Sequence, residues 1–92
     1  MPLQILSSPS SSGESAAELR RAIENAIEGA SVEVTATSPG HFEIAVTSEV
    51  FEGKSRVQQQ QLVYAAIAHL MKGDAAPVHA IDHMRTRVPE AG

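Results

Sequence analysis

Two spacings of apolar residues alternate along this chain. Leu19, Ala22, Ile23, Ala26 and Ile27 fall on one stripe at helical spacing, with Arg20, Arg21, Glu24 and Glu28 on the other side. Ser15, with Glu18 completing a capping box, reads as the start of this helix, and Gly29 as its stop. The period then drops to two. Val32, Val34 and Ala36 alternate with Ser31, Glu33, Thr35 and Thr37, and Phe42, Ile44 and Val46 alternate with His41, Glu43, Ala45 and Thr47. Pro39-Gly40 between the two runs makes them an antiparallel hairpin with one dry face. Helical spacing returns from Ser55 to Met71, where Val57, Leu62, Val63, Tyr64, Ile67, Leu70 and Met71 are candidates for burial. Periodicity alone leaves open whether this is one helix or two with a break near Tyr64. Gln58 to Gln61 read as a polar outer face, and Ser55 with Gln58 as a second capping box after a turn at Gly53. A loop from Gly73 to Pro77 leads to a last strand, Val78 to about Arg85.

The dry face of the hairpin needs a cover, and only the helices can supply it. A strand, a helical crossover and another strand in one sheet imply a right-handed parallel connection. The predicted fold is therefore α+β, in the order α-β-β-α(α)-β, a three-stranded mixed sheet covered by helices. Residues 1–14 are serine-rich and aperiodic and read as a flexible tail, 15–87 as the folded domain, and 88–92 as a loose end.

Ninety-two residues make one small domain, and a hydrophobic fraction of 42% suffices for a core on one side of the sheet. Phe42, Phe51 and Tyr64 are the only aromatic residues, so aliphatic side chains carry the packing. With no cysteine there is neither a disulfide nor a thiolate ligand. Seven basic against eleven acidic residues give a net charge of −4, which argues against indiscriminate binding to nucleic acid. No apolar run is long enough to span a bilayer, and Leu3-Gln-Ile-Leu6 lacks the basic flank of a secretory signal. The expectation is a cytoplasmic protein without a membrane or a small-molecule substrate.

Candidate chemistry is confined to a few places. Gly53, Lys54, Ser55 and Arg56 form a basic turn at a helix N-terminus, where positive potential gathers. Gly53-Lys54-Ser55 is not a nucleotide-binding loop, since Ser48 stands where that motif requires glycine. Four histidines are available: His41 heads the second strand, His69 reads as a partly buried structural residue, and His79 and His83 fall on the last strand. No serine is surrounded by a recognisable histidine and carboxylate arrangement, and no cysteine nucleophile exists, so the sequence predicts no enzyme.

His41-Phe42, Phe51-Glu-Gly-Lys-Ser-Arg-Val-Gln58, Gln61-Leu-Val-Tyr64 and Val78-His-Ala-Ile81 together resemble the BolA family in order and spacing. The resemblance covers about Leu19 to Met84. It implies a fold similar to type II KH domains, α-β-β-α-α-β, and partnership with monothiol glutaredoxins in iron–sulfur and iron homeostasis, with links to stress response and transcription regulation. By the same resemblance His79 is a ligand of a [2Fe–2S] cluster shared with a glutaredoxin and its glutathione, neutral imidazole replacing a thiolate on one iron. Family members often add a cysteine or histidine from the loop between the first two strands. Here that loop is short and cysteine-free, and His41 is the nearest group able to ligate iron. The implied docking surface is the Gly53–Gln61 segment together with the His79 strand, with Gly53, Lys54, Arg56 and His79 as contact residues. The alternative is a DNA-binding regulator using Lys54, Ser55 and Arg56. Against it, the G-x-x-G loop of KH domains is incomplete here, because Arg56 occupies its last position.

Overall fold

The computed structural model describes residues 11–73 and 76–90. Five elements follow in order: α1 (Ser11–Ala26), β1 (Ser31–Ser38), β2 (His41–Thr47), α2 (Arg56–Ile67) and β3 (Ala80–Arg87). The sheet order is β1-β2-β3, with β1 antiparallel and β3 parallel to the central β2. This is the mixed α+β arrangement the periodicities predict. In place of a third helix stands a single 3-10 turn, Ala68–Leu70, since only a few residues separate the end of α2 from Gly73.

One face of the sheet carries the core. Phe42, Ile44 and Val46 of β2 are buried in one cluster with Leu19 and Ile23 of α1, Ile27 just after it, and Val63 and Ile67 of α2, with Phe51 and Val78 completing it. Burying residues of this size stabilises the fold by about 1.5–3 kcal/mol each before entropy is counted. The opposite face is polar and open. Ser48 is also fully buried: its hydroxyl donates to the Glu28 carbonyl at 2.9 Å and accepts from the Val50 amide at 3.1 Å, joining the end of β2 to the loop after α1.

Five local expectations change. Helix α1 already includes Ser11, and Ser15 is not its cap but a small buried residue one turn before Leu19 on the same stripe. The greater part of the expected tail, residues 1–10, lies outside the described residues. On α2, Val57 and Tyr64 point outward, 62% and 42% exposed, because Val63 and Ile67 set the buried face and these two lie off it. Gln59 and Gln60 instead turn partly inward, toward β3. The last strand begins at Ala80, so His79 precedes it; His69 is exposed on the 3-10 turn.

Candidate functional site

His79 owes its place to the turn between β1 and β2. Its backbone amide donates to the Gly40 carbonyl at 2.8 Å, and the Ala80 amide donates to the same oxygen at 3.1 Å. This double contact anchors the start of β3 to the hairpin. The imidazole then lies against Gly40, filling the space a side chain at position 40 would take, and remains exposed to solvent. Gly40 has a φ of 80°, which suits glycine in a two-residue turn after proline. One residue thus supplies both the turn and the cradle for the ring.

His41 is the next residue and stands in register with Ala80. Its Nδ1 lies 3.1 Å from Oδ1 of Asp82, while Oδ2 of the same carboxylate accepts a hydrogen bond from the Thr37 hydroxyl at 3.0 Å. The hydrogen bond with His41, and after it that from Thr37, holds the Asp82 carboxyl below its usual range. Two irregularities of the sheet lie beside this contact. Ala36 pairs with Phe42 and Ser38 with His41, so Thr37 is an extra residue on β1. Phe42 pairs with Ile81 and Glu43 with His83, so Asp82 is an extra residue on β3. A bulge leaves one residue unpaired across the strands, and here the two unpaired residues flank the ring of the central strand.

The basic turn is elsewhere. Ser55 caps α2 as expected, accepting from the Gln58 amide at 3.1 Å while the Gln58 side chain accepts from the Ser55 amide at 2.9 Å. Gly53, with a φ of 79°, leads into it, and Lys54 and Arg56 are exposed. Gln59 holds this turn in place. Its Nε2 donates to the carbonyls of Phe51 and Lys54, and its Oε1 accepts from the buried Thr86 hydroxyl at 2.7 Å. Lys54 therefore sits at the Thr86 end of β3. His79 sits before the other end, about 20 Å away at strand rise. The expectation that His79 lies beside the basic corner is corrected. A parallel crossover must leave β2 at one end of the sheet and re-enter β3 at the other, so the turn after β2 and the approach to β3 cannot meet. The structure brings His79, Gly40 and His41 together and leaves Gly53, Lys54 and Arg56 apart from them.

The imidazole of His79 is accessible, and His41 has one nitrogen directed to a carboxylate, an arrangement common among metal-bound histidines. Among the described residues no three His, Cys, Asp or Glu side chains converge as a metal site. The exposed imidazole of His79 can serve a metal shared with another molecule only if that molecule brings the remaining ligands. Simple alternation puts Thr37 on the polar side of the hairpin with His41 but does not reveal the bulges. The trace they leave is Ile81-Asp-His-Met84, where two apolar residues on the core side stand three apart instead of two. None of the helices among the described residues is long and apolar enough to cross a membrane.

A family profile described as BolA-like protein matches residues 14–90. The human BolA-like protein 1 is 47% identical over 49 residues, an alignment covering 50% of this chain and 34% of that protein, so the matched part is about a third of its length. The solution structure of mouse BolA1 superposes with a TM-score of 0.63 at 28% identity, covering 94% of this chain and 70% of that one. The BolA domain of SufE1 from Arabidopsis thaliana reaches a TM-score of 0.71 at 22% identity, covering 84% and 94%, a likeness of fold.

Proposed function

The chain belongs to the BolA-like family, and from that premise we propose that it is a non-enzymatic adaptor which docks a monothiol glutaredoxin at the His79 end of its sheet. There it contributes His79, with His41 beside it, to a bridging [2Fe–2S] cluster completed by the glutaredoxin and its glutathione, in the service of iron–sulfur and iron homeostasis and the stress response. The observation that carries this reading is the exposed imidazole of His79, which lies in the Gly40 cradle, is anchored through its backbone and makes no side-chain hydrogen bond among the described residues. A ring fixed in this way keeps a donor atom for a ligand outside the chain. The bound cluster supplies electron storage or iron delivery; this chain supplies nitrogen donors and a surface that admits a second protein.

Anaerobic mixing with a monothiol glutaredoxin, iron, sulfide and glutathione tests it. The expected result is a mixed complex whose visible absorption and circular dichroism differ from those of the glutaredoxin alone, and whose signature is lost with His79→Ala. A spectrum unchanged by that substitution overturns the ligand role.

A second reading is DNA binding at the other end of the sheet. It is favoured by one observation: Lys54 and Arg56 are exposed at the N-terminus of α2 and have no carboxylate within ion-pair distance among the described residues. A gel-shift series across salt concentrations decides it. Binding at low salt that disappears with Lys54→Glu and Arg56→Glu supports a regulator, and no shift at low salt removes the reading.

A further inference from the structure

We propose that Thr37 and Asp82 act as a clamp that fixes the tautomer of His41, so that Nδ1 carries the proton and Nε2 offers a lone pair to a metal. Each is the extra residue of a bulge, one on either outer strand, and the two bulges lie at the same end of the sheet. Even register would already place Thr37 opposite His41 and Asp82 opposite Glu43 on the open face; the bulges leave both residues without a cross-strand partner of their own, beside the central ring. The pair meets in one place: Asp82 bridges the Thr37 hydroxyl at 3.0 Å and the His41 ring at 3.1 Å. An ionised carboxylate can only accept, so the ring nitrogen facing it must bear the hydrogen. In a neutral imidazole the other nitrogen is then the acceptor, and it is the only ring atom left for coordination. The Thr37 hydroxyl occupies the second carboxylate oxygen and restrains rotation of the carboxylate, which keeps Oδ1 aimed at the ring.

Thr37 and Asp82 are thus positioning residues that touch no metal themselves. A carboxylate partner orients a ligating histidine and raises its basicity, and losing such a partner typically lowers metal affinity by about 10–100-fold. The inference rests on the proposed function for what Nε2 binds, but the tautomer is a property of the chain by itself.

Two measurements separate these parts. In the isolated, ¹⁵N-labelled protein, long-range ¹⁵N–¹H correlations read the histidine tautomers directly. The wild type is expected to hold His41 with the proton on Nδ1. Asp82→Asn should shift it toward the Nε2-protonated form, Thr37→Val should do so more weakly, and Thr37→Ser should preserve the wild-type pattern. A wild-type His41 protonated at Nε2, or a tautomer indifferent to Asp82→Asn, overturns the clamp. In the glutaredoxin complex, Asp82→Asn should shorten the cluster half-life by about 10–100-fold. An unchanged half-life in a complex that still depends on His79 overturns the metal-facing role of His41. If His79→Ala itself leaves the cluster spectrum intact, the adaptor reading fails while the tautomer result stands. Asp82 is exposed, so its variant is expected to fold, and dispersion of the same spectra verifies this.

Discussion

Gly40 and Gly53 have nearly the same backbone angle, φ 80° and 79°, but different surroundings. A methyl group at position 53 meets nothing within 4 Å, whereas at position 40 it overlaps the ring of His79. The pair therefore separates backbone strain from side-chain displacement. Gly53→Ala should lose about 1–2 kcal/mol of stability in urea unfolding, the cost of a left-handed conformation for a residue with a Cβ. Gly40→Ala should lose at least as much and in addition shift the His79 ring resonances, because the imidazole must leave its cradle. Equal spectra for His79 in both variants would show that the ring is not held by Gly40. At this scale the sequence revealed the residue types without their use. Pro39-Gly40 is readable as a turn, and His79 as a donor, but the contact between them joins positions about 40 residues apart that no local pattern relates.

Helix α2 shows what periodicity can and cannot resolve. Its cap is readable because Ser55 and Gln58 interact within one turn, and the structure contains both bonds of the box. Its buried face is harder, since a stretch with Val57, Leu62, Val63, Tyr64 and Ile67 offers apolar residues on several sides, and packing against α1 and the sheet core selects Val63 and Ile67. Ile67→Ala should therefore cost about 2–5 kcal/mol, and Val57→Ala, at an exposed position, less than about 0.5 kcal/mol. Comparable losses at the two positions in urea titrations would contradict this orientation of the helix. Apart from Gln58 in the capping box, the glutamine run reads as one polar outer face, because identical side chains give no internal contrast. The structure divides them: Gln58 caps, Gln59 ties the turn to Thr86, and Gln61 is exposed. Gln59→Ala leaves the buried Thr86 hydroxyl and two turn carbonyls without this partner, and should cost about 1–3 kcal/mol. Gln61→Ala serves as the neutral control in the same measurement. Strand β3 follows the same logic. Its existence is visible in alternation, but its start and its bulge depend on pairing with β2, and from those two features follow the placement of His79 before the strand and of Asp82 beside His41.

Across the whole molecule, the parallel pairing of β2 and β3 decides which residues can share one partner. The helical crossover carries the chain from the Thr47 end of the sheet back to the His41 end, so one end carries Lys54 and Arg56 and the other His79, Gly40 and His41. The order of elements was legible from the sequence, and this polarity follows from it, yet closeness along the chain suggests the opposite grouping. A partner that binds through the His79 end makes its energetically decisive contacts there. Contacts of exposed basic residues at the far end, if any form, are worth at most about 1 kcal/mol each. In calorimetric titrations of a monothiol glutaredoxin in the presence of the cluster, Lys54→Glu and Arg56→Glu should each weaken binding by less than about fivefold. His79→Ala should weaken it by roughly thirtyfold or more, as expected for a central anchor worth about 2 kcal/mol. Raising the salt concentration should narrow the first effect and leave the second, because exposed charges are screened and a coordinate bond is not. Equal losses at both ends would mean that one partner spans the sheet, and the surface centred on His79 would then have to be extended along the whole length of α2.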